Sequence, residues 1–368
     1  MMLSKDDALV CAKAFKDYFG NFDRIDEYMR DQKLASLSEI STNPLFPIEE
    51  DLFSDFSMHP NDMDIEVCEI DSTTWETLLS ITSSHVNIRP VGRSIQLAVK
   101  EKNSGKFIGF IRLGSPVINC KPRNEMLGQV FTQNPEWGKR FNDSAMMGFV
   151  IVPSQPFGYN YLGGKLLAAI CCSHTVREIV NKKYNMNLCL FETTSLYGSS
   201  KSTSQYDGMK PFIRYQGLTE SDFLPMMHGK PYSDLVSFVE GKVGKVVDDG
   251  ISSRKLKITM KIISLTRASL KGTSELVDFD LTIQNAKKLT EQKRYYTSNY
   301  GYNNYVDYIN CKTDKLIPGE NYEKHNLENI IEWWRKKAVN RYESLKTEGR
   351  LRTELEIWTS GKDIQIIR

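Results

Sequence analysis

Residues 148–172, GFVIVPSQPFGYNYLGGKLLAAICC, decide how the rest of the chain is read. The apolar run through Val152 and Pro153 reads as a buried strand. A turn with Pro156 and Gly158 follows, then an apolar helix opening on Gly163, Gly164 and Lys165. Strand, glycine-marked turn and helix in that order are a building unit of a sheet flanked by helices. Glycines at such a junction serve one of two ends. They let a pyrophosphate approach free N–H groups at the positive helix end, or they let the helix pack closely on the sheet.

Working outward, SIQLAVKEKNSGKFIGFIRLGSP at 94–116 is two apolar runs joined by a polar, glycine-bearing turn, which predicts a hairpin. SAMMGFVIVP at 144–153 is the buried strand, and the helix after it is expected over about 161–181. NLCLFETTSL and FIRYQGL predict two further strands, and IEVCEI opens the strand pattern near residue 65. The fold class expected is α/β in the α+β sense, a mixed sheet with flanking helices over 65–235. Before it, 1–64 reads as an acidic segment: helix over 3–35, then a proline-bearing linker, STNPLFPIEEDLFSDFSMHPND. After it, 236–368 reads as a basic, aromatic-rich α/β region. There, SSRKLKITMKIISLTRASL fits a basic strand or an amphipathic helix. NLENIIEWWRKKAVNRYESLKT at 326–347 is a helix with Asn326 placed to cap it and Gly349 to end it.

Composition bounds the function. With 40% hydrophobic and 26% charged residues the chain is an ordinary globular sequence. No apolar run approaches the roughly 20 residues of a membrane span, and the first residues lack a secretory pattern. A cytoplasmic protein is expected. The seven cysteines have no CxxC spacing, so neither a common zinc site nor a disulfide framework is indicated, and Cys171, Cys172 and Cys189 read as buried thiols. The net charge of +2 conceals opposite ends. Residues 1–70 hold 6 Lys/Arg against 16 Asp/Glu, whereas 252–368 hold 22 against 15. Either an acidic segment covers a basic surface or both are solvated faces, and the basic end points to a polyanion partner.

The strand–turn–helix stretch resembles the acyl-CoA-binding segment of the GNAT acetyltransferase superfamily. There a strand ends near Val-Pro, and a Gln/Arg-x-x-Gly-x-Gly/Ala turn cradles the pyrophosphate. Here Val152, Gln155, Gly158 and Asn160, with Gly163 and Gly164 at the helix start, hold those places. This resemblance implies a GNAT-like sheet and acetyl-CoA or another acyl-CoA as cofactor. A second resemblance covers residues 80–220, through SSHVNIRPVGRSIQLAV, GFVIVP and LFETTSLYGSSKSTSQYDGMKPFIRYQGLTE. Their order is similar to that of the phage Mom-type DNA-modification proteins and of the DruA-like proteins of a bacterial anti-phage system. Carried over residue by residue, the early histidine falls on His85, the acid at the strand end on Glu192 (Asp in the Mom-type pattern), and the loop tyrosine on Tyr206. The Mom-type resemblance implies that these three form an iron-dependent site adding a small group to adenine in DNA.

The residue chemistry is compatible with that implication. Imidazole, carboxylate and phenolate together can hold a transition metal. Without metal, His85 and Glu192 can act as base and orienting partner and Tyr206 as acid. Against this, a single histidine in a polar loop, a carboxylate at a strand end and one tyrosine of 17 are each ordinary structural residues. The hydroxyl-rich loop after Glu192, with Lys201 and Lys210 near its ends, can follow a phosphate backbone. Further on, Lys293 and Arg294 beside Tyr295 and Tyr296 suit exposed bases. Arg335, Lys336, Lys337 and Arg341 form a basic set on the 326–347 helix, opposite Trp333 and Trp334. Packed tyrosines and solvated cations would give the same sequence. Three functions follow: a DNA-base-modifying transferase, an acyl-CoA-dependent N-acyltransferase acting on a protein or small amine, and a non-catalytic nucleic-acid-binding or defence module.

Overall fold

A computed structural model describes residues 2–23, 25–40, 48–84, 86, 92–195, 204–219, 226–248, 254–288 and 293–358. The chain forms two compact units, each built from two separated segments. One comprises Met1–Ser36 with Ser221–Glu291, the other Leu37–Glu220 with Gln292–Arg368. This division differs from the expected partition at 64 and 235, because the C-terminal quarter returns to the sheet.

The first unit is helical. Lys5–Phe19 runs through it, its Ser4 hydroxyl accepting the Asp7 N–H at 3.1 Å as an N-cap. Ala8, Cys11, Phe15 and Phe19 recur at helical spacing and are buried. The helix expected over 3–35 is two, for the first ends at Gly20 and Ile25–Ile40 follows, and Gly229–Val243, Arg254–Ser269 and Ser274–Lys288 complete the unit. The stretch that fitted strand or helix is helix, since Ile258, Ile262, Ile263 and Leu265 bury one face. The N-terminal acids therefore share a unit with the basic 254–288 helices, and Asp7 pairs with Lys242 at 3.1 Å.

The second unit is a seven-stranded mixed sheet flanked by helices: β1 (Ile65–Glu69), β2 (Ser94–Glu101), β3 (Lys106–Gly114), β4 (Ala145–Pro153), β5 (Leu190–Thr194), β6 (Arg214–Leu218) and β7 (Arg294–Ser298), in the order β1-β2-β3-β4-β5-β7-β6. β4 and β5 are parallel; every other neighbouring pair is antiparallel. The expected β2–β3 hairpin forms. Its turn is fixed by the buried Glu101 carboxylate, which accepts the N–H groups of Asp64, Asn103 and Ser104.

A parallel pair needs a crossover, and the stretch after β4 supplies it in three pieces: Phe157–Asn160, Gly163–Ile170 and His174–Tyr184. The single helix expected over 161–181 is broken because Ser173 caps a new one, its hydroxyl accepting the Val176 N–H at 3.1 Å. Cys171, Cys172 and Cys189 are buried thiols. β7, which lies between β5 and the edge strand β6, comes from within the tyrosine-rich segment. Leu327–Thr347 follows it and packs on the crossover. Trp334 is buried, its indole N–H donating to the Tyr161 carbonyl at 2.7 Å. Asn326 takes the N-cap position without a capping side-chain bond, and Gly349 follows the helix at φ 64°. Among the described residues no helix is long and apolar enough to cross a membrane.

Candidate nucleic-acid interface

β5 is the central strand of the site, and its two faces carry different chemistry. Side chains alternate along a strand, so Glu192 and Thr193 point to opposite sides of the sheet. On one side Glu192 is fully buried against the helix Lys121–Leu127. Arg123 donates to its Oε1 at 3.1 Å, and the Tyr295 hydroxyl donates to Oε2. The guanidinium is itself fixed by the carbonyls of Val117 and Ile118 at 2.7 and 2.6 Å and stacks on Phe141 at 4.5 Å. Burial pushes the Glu192 carboxyl up, with Arg123 and the Tyr295 hydroxyl pulling against it.

On the other side, Thr193 bonds the Gly148 carbonyl at 3.0 Å and pairs with Tyr296 of β7. Tyr206 lies here, its ring 5.3 Å from that of Tyr296. Burial pushes its phenol up to about 12, so it is neutral at physiological pH. The expected trio is thus not assembled. Glu192 and Tyr206 are separated by the sheet, and His85 lies outside the described residues. Both Glu192 oxygens are engaged and the sheet stands between it and Tyr206, so these two do not fit a shared iron. Among the described residues no three His, Cys, Asp or Glu side chains converge as a metal set.

The glycines at the head of the crossover answer to packing. A Cβ on Gly163 would stand 2.7 Å from the Phe157 ring and 2.9 Å from Pro153, and one on Gly164 would strike Gln205. The turn itself is covered by the C-terminal segment. Asn160 is fully buried; its side chain donates to the Arg352 carbonyl at 2.7 Å and accepts the Arg352 N–H at 3.2 Å. The Glu356 N–H donates to the Gln155 carbonyl at 2.9 Å, and the Gln155 side chain accepts the Tyr159 N–H at 3.2 Å. Val152, Gln155, Gly158 and Asn160 therefore border the protein's own chain, and this cradle does not fit the pyrophosphate of an acyl-CoA.

Of the expected aromatic residues, Tyr295 and Tyr296 are buried on opposite faces of β7 and offer no ring to a base. Their neighbour Arg294 does reach the surface. It donates to the Tyr296 hydroxyl at 2.8 Å, pairs with Asp207 at 3.2 Å and lies 4.3 Å over the ring of Tyr215. Tyr215 is 45% exposed on the edge strand β6, and its ring centroid is 5.6 Å from that of Tyr296. A row of tyrosines, 206, 296 and 215, thus runs from the interior to the surface. Burial would raise the Asp207 carboxyl, but the Ser204 N–H, the Tyr296 hydroxyl and Arg294 outweigh it and hold it low. Lys165 caps the same loop by donating to the carbonyls of Gln205 and Asp207 at 2.9 and 2.7 Å.

Lys210 is exposed at the loop's far end, and Lys201 lies outside the described residues. The backbone N–H of Lys293 is tied to Thr219 at 2.9 Å, and burial lowers the pKa of its ammonium. The helix cations do not form one patch, because consecutive residues turn by about 100°. Arg335 donates inward to the Met63 carbonyl at 3.0 Å, Lys336 pairs with Glu332 at 3.0 Å, Lys337 sits 5.4 Å over Trp333, and Arg341 stacks on Tyr159 at 4.8 Å. Tyr215, Asp207 and Lys165 were missed from sequence. The signal was available in RYQGL, a short run too polar for a central strand, which marks an exposed edge.

Similarity to a known family reaches the first five strands and not Tyr206, Asp207, Tyr215 or Arg294. A family model for Druantia protein DruA matches residues 54–202, which takes in β1 to β5. Druantia protein DruA of Escherichia coli (strain UMEA 4076-1) is 28% identical over 160 residues, 38% of this chain and 37% of that protein. The chain thus spans well under half the length of that relative. No solved structure matches it.

Proposed function

We propose that this chain is a DruA-like component of anti-phage defence that works by binding exposed nucleic acid at the β6 edge of its sheet. The similarity to DruA over 54–202 carries the defence assignment. The exposed ring of Tyr215, backed by an Arg294 held in place by Asp207 and Tyr296, supports the mode of binding. Unpaired bases stack on exposed rings, worth about 1–3 kcal/mol each, while nearby cations meet the phosphates. Arg214 and Lys210 are exposed and, among the described residues, have no carboxylate partner. Fluorescence anisotropy with a labelled single-stranded oligonucleotide tests the reading. Tyr215→Ala should weaken binding about tenfold at fixed salt, with the melting temperature kept. Equal binding by wild type and variant would remove the platform.

A second reading, group transfer to a DNA base, is favoured by one observation: Tyr206 and Asp207 stand together beside Thr193 at the end of β5. In that reading Glu192 is a structural residue, and the base would leave its stack to reach Tyr206. Mass spectrometry of nucleosides from cells expressing wild type or Tyr206→Phe decides it. A new nucleoside in wild type alone supports the reading, and unchanged nucleosides oppose it.

A further inference from the structure

Three arginines meet on one ring at the glycine turn. The Arg352 guanidinium lies 4.0 Å from the centroid of Tyr159 and that of Arg341 lies 4.8 Å from it, while Arg350 donates to the Tyr159 hydroxyl at 3.2 Å. Arg341 also donates weakly from Nε to the Tyr159 carbonyl at 3.4 Å. Two of the three are partly neutralised: Arg350 pairs with Glu348 at 2.7 Å and Arg352 with Glu356 at 3.1 Å. Among the described residues Arg341 is in no direct ion pair, though its charge helps hold the Glu348 carboxyl low. Each guanidinium has five N–H donors in a planar fork, and most of the fifteen are not consumed by these contacts. Like charges gathered on one aromatic ring are held by its π face, which fixes the forks before any ligand arrives.

We propose that Arg341, Arg350 and Arg352 around Tyr159 form a phosphate-binding clamp. The segment that fills the glycine turn thereby puts guanidinium groups beside it, and a phosphate is bound by side-chain forks instead of helix N–H groups. Arginine suits this task because its fork matches phosphate oxygens two at a time, which a lysine cannot do. The phosphate belongs to a nucleic-acid backbone or to a small phosphorylated ligand. The first source rests on the nucleic-acid reading above; the clamp itself does not.

Two probes separate the sources: a labelled single-stranded oligonucleotide, and inorganic pyrophosphate followed by calorimetry. Each is titrated against wild type, Arg341→Lys, and the double variant Arg341→Gln, Arg350→Gln, with melting curves confirming the fold. For an oligonucleotide-binding clamp, the double variant loses about tenfold in affinity and its salt dependence flattens by about 1.4 in log–log slope, roughly 0.7 for each of two phosphates. Arg341→Lys, which keeps the charge but not the fork, falls between. Loss of pyrophosphate binding in the double variant, with no oligonucleotide bound by wild type, supports the clamp and removes the nucleic-acid reading. Oligonucleotide binding that is the same in all three proteins, without pyrophosphate binding, overturns the clamp and leaves that reading standing. Wild type that binds neither probe overturns both.

Discussion

Glu192 and Tyr206 stand on opposite faces of the same sheet. Glu192 is locked between Arg123 and Tyr295, and Tyr206 packs on Tyr296. Adjacent positions of β7 hold the two partners, so the pleat that separates Tyr295 from Tyr296 also separates the carboxylate from the phenol. One face is devoted to a buried ion pair that braces the sheet. The other leads outward through Tyr296 and Arg294 to the exposed ring of Tyr215.

Glu192 should therefore act on stability. Truncating one member of a buried ion pair leaves the other charge uncompensated, at about 3–5 kcal/mol. Glu192→Ala is expected to lower the unfolding free energy by that amount, read as a lower urea midpoint at an unchanged m-value. Glu192→Gln, which keeps one acceptor oxygen for Arg123 and offers an NH2 that the Tyr295 hydroxyl can turn to accept, should lose less. Equal stability of wild type and Glu192→Ala would contradict the buried pair.

Gly163 gives a test in which two effects oppose. Alanine in a helix is favoured over glycine by about 1 kcal/mol, yet its Cβ would press on Phe157 and Pro153. Overpacking of this kind costs about 1–3 kcal/mol, and both neighbours are buried or tied to the strand end. Gly163→Ala is expected to destabilise. A rise in melting temperature would show that the helix has room.

His325 sets an acid limit. The buried ring donates from Nδ1 to the Cys172 carbonyl at 2.7 Å, and Nε2 has no hydrogen-bond partner among the described residues. Burial pushes its pKa from 6.5 to about 4, with His174 and Arg177 adding to the effect against the pull of the carbonyl. The folded state thus resists protonation. The stability it contributes is complete above pH 6.5 and declines as the pH falls toward 4, by about 3 kcal/mol in all. Denaturant titrations across that window should show a shallower decline in His325→Gln than in wild type; an identical slope would exclude His325 as a source. His174 and His228, also held low mainly by burial, add to the decline.

Asn160 should hold the C-terminal segment in place. Asn160→Ala removes two bonds to the Arg352 backbone and strands buried groups, at about 1–3 kcal/mol. Hydrogen exchange should then speed up at Arg352 and at Glu356, whose N–H is bonded to Gln155. Unchanged protection at both amides would mean that the segment is held by its other contacts.

The legible parts of the fold were those written in local periodicity. Leu97, Val99, Ile108 and Phe110 alternate about the turn at Gly105, and the run through Val150 to Pro153 could only be a buried strand. β7 was not legible. Its residues, RYYTS, read as part of a cationic, tyrosine-rich surface, and its partner strands β5 and β6 lie far away in sequence. The helix break at Cys171–Ser173 was hidden because two apolar thiols continue the pattern. At the site, the types of residue were visible but not their sides. Nothing local to Tyr206 records that the chain returns on the face opposite Glu192. The glycine turn posed a choice between ligand and packing, and Asn160, in place of a small residue, was the sign that side chains would fill it.

A chain that binds exposed nucleic acid through cations and stacked rings must bind it in a salt-dependent way. Anisotropy of single-stranded and double-stranded oligonucleotides should be followed from low to physiological salt. The single strand should bind more tightly, with an affinity that falls linearly in log–log form by about 0.7 per phosphate neutralised. No binding of either oligonucleotide at low salt, by protein with a cooperative melting curve, would contradict nucleic-acid binding by this chain.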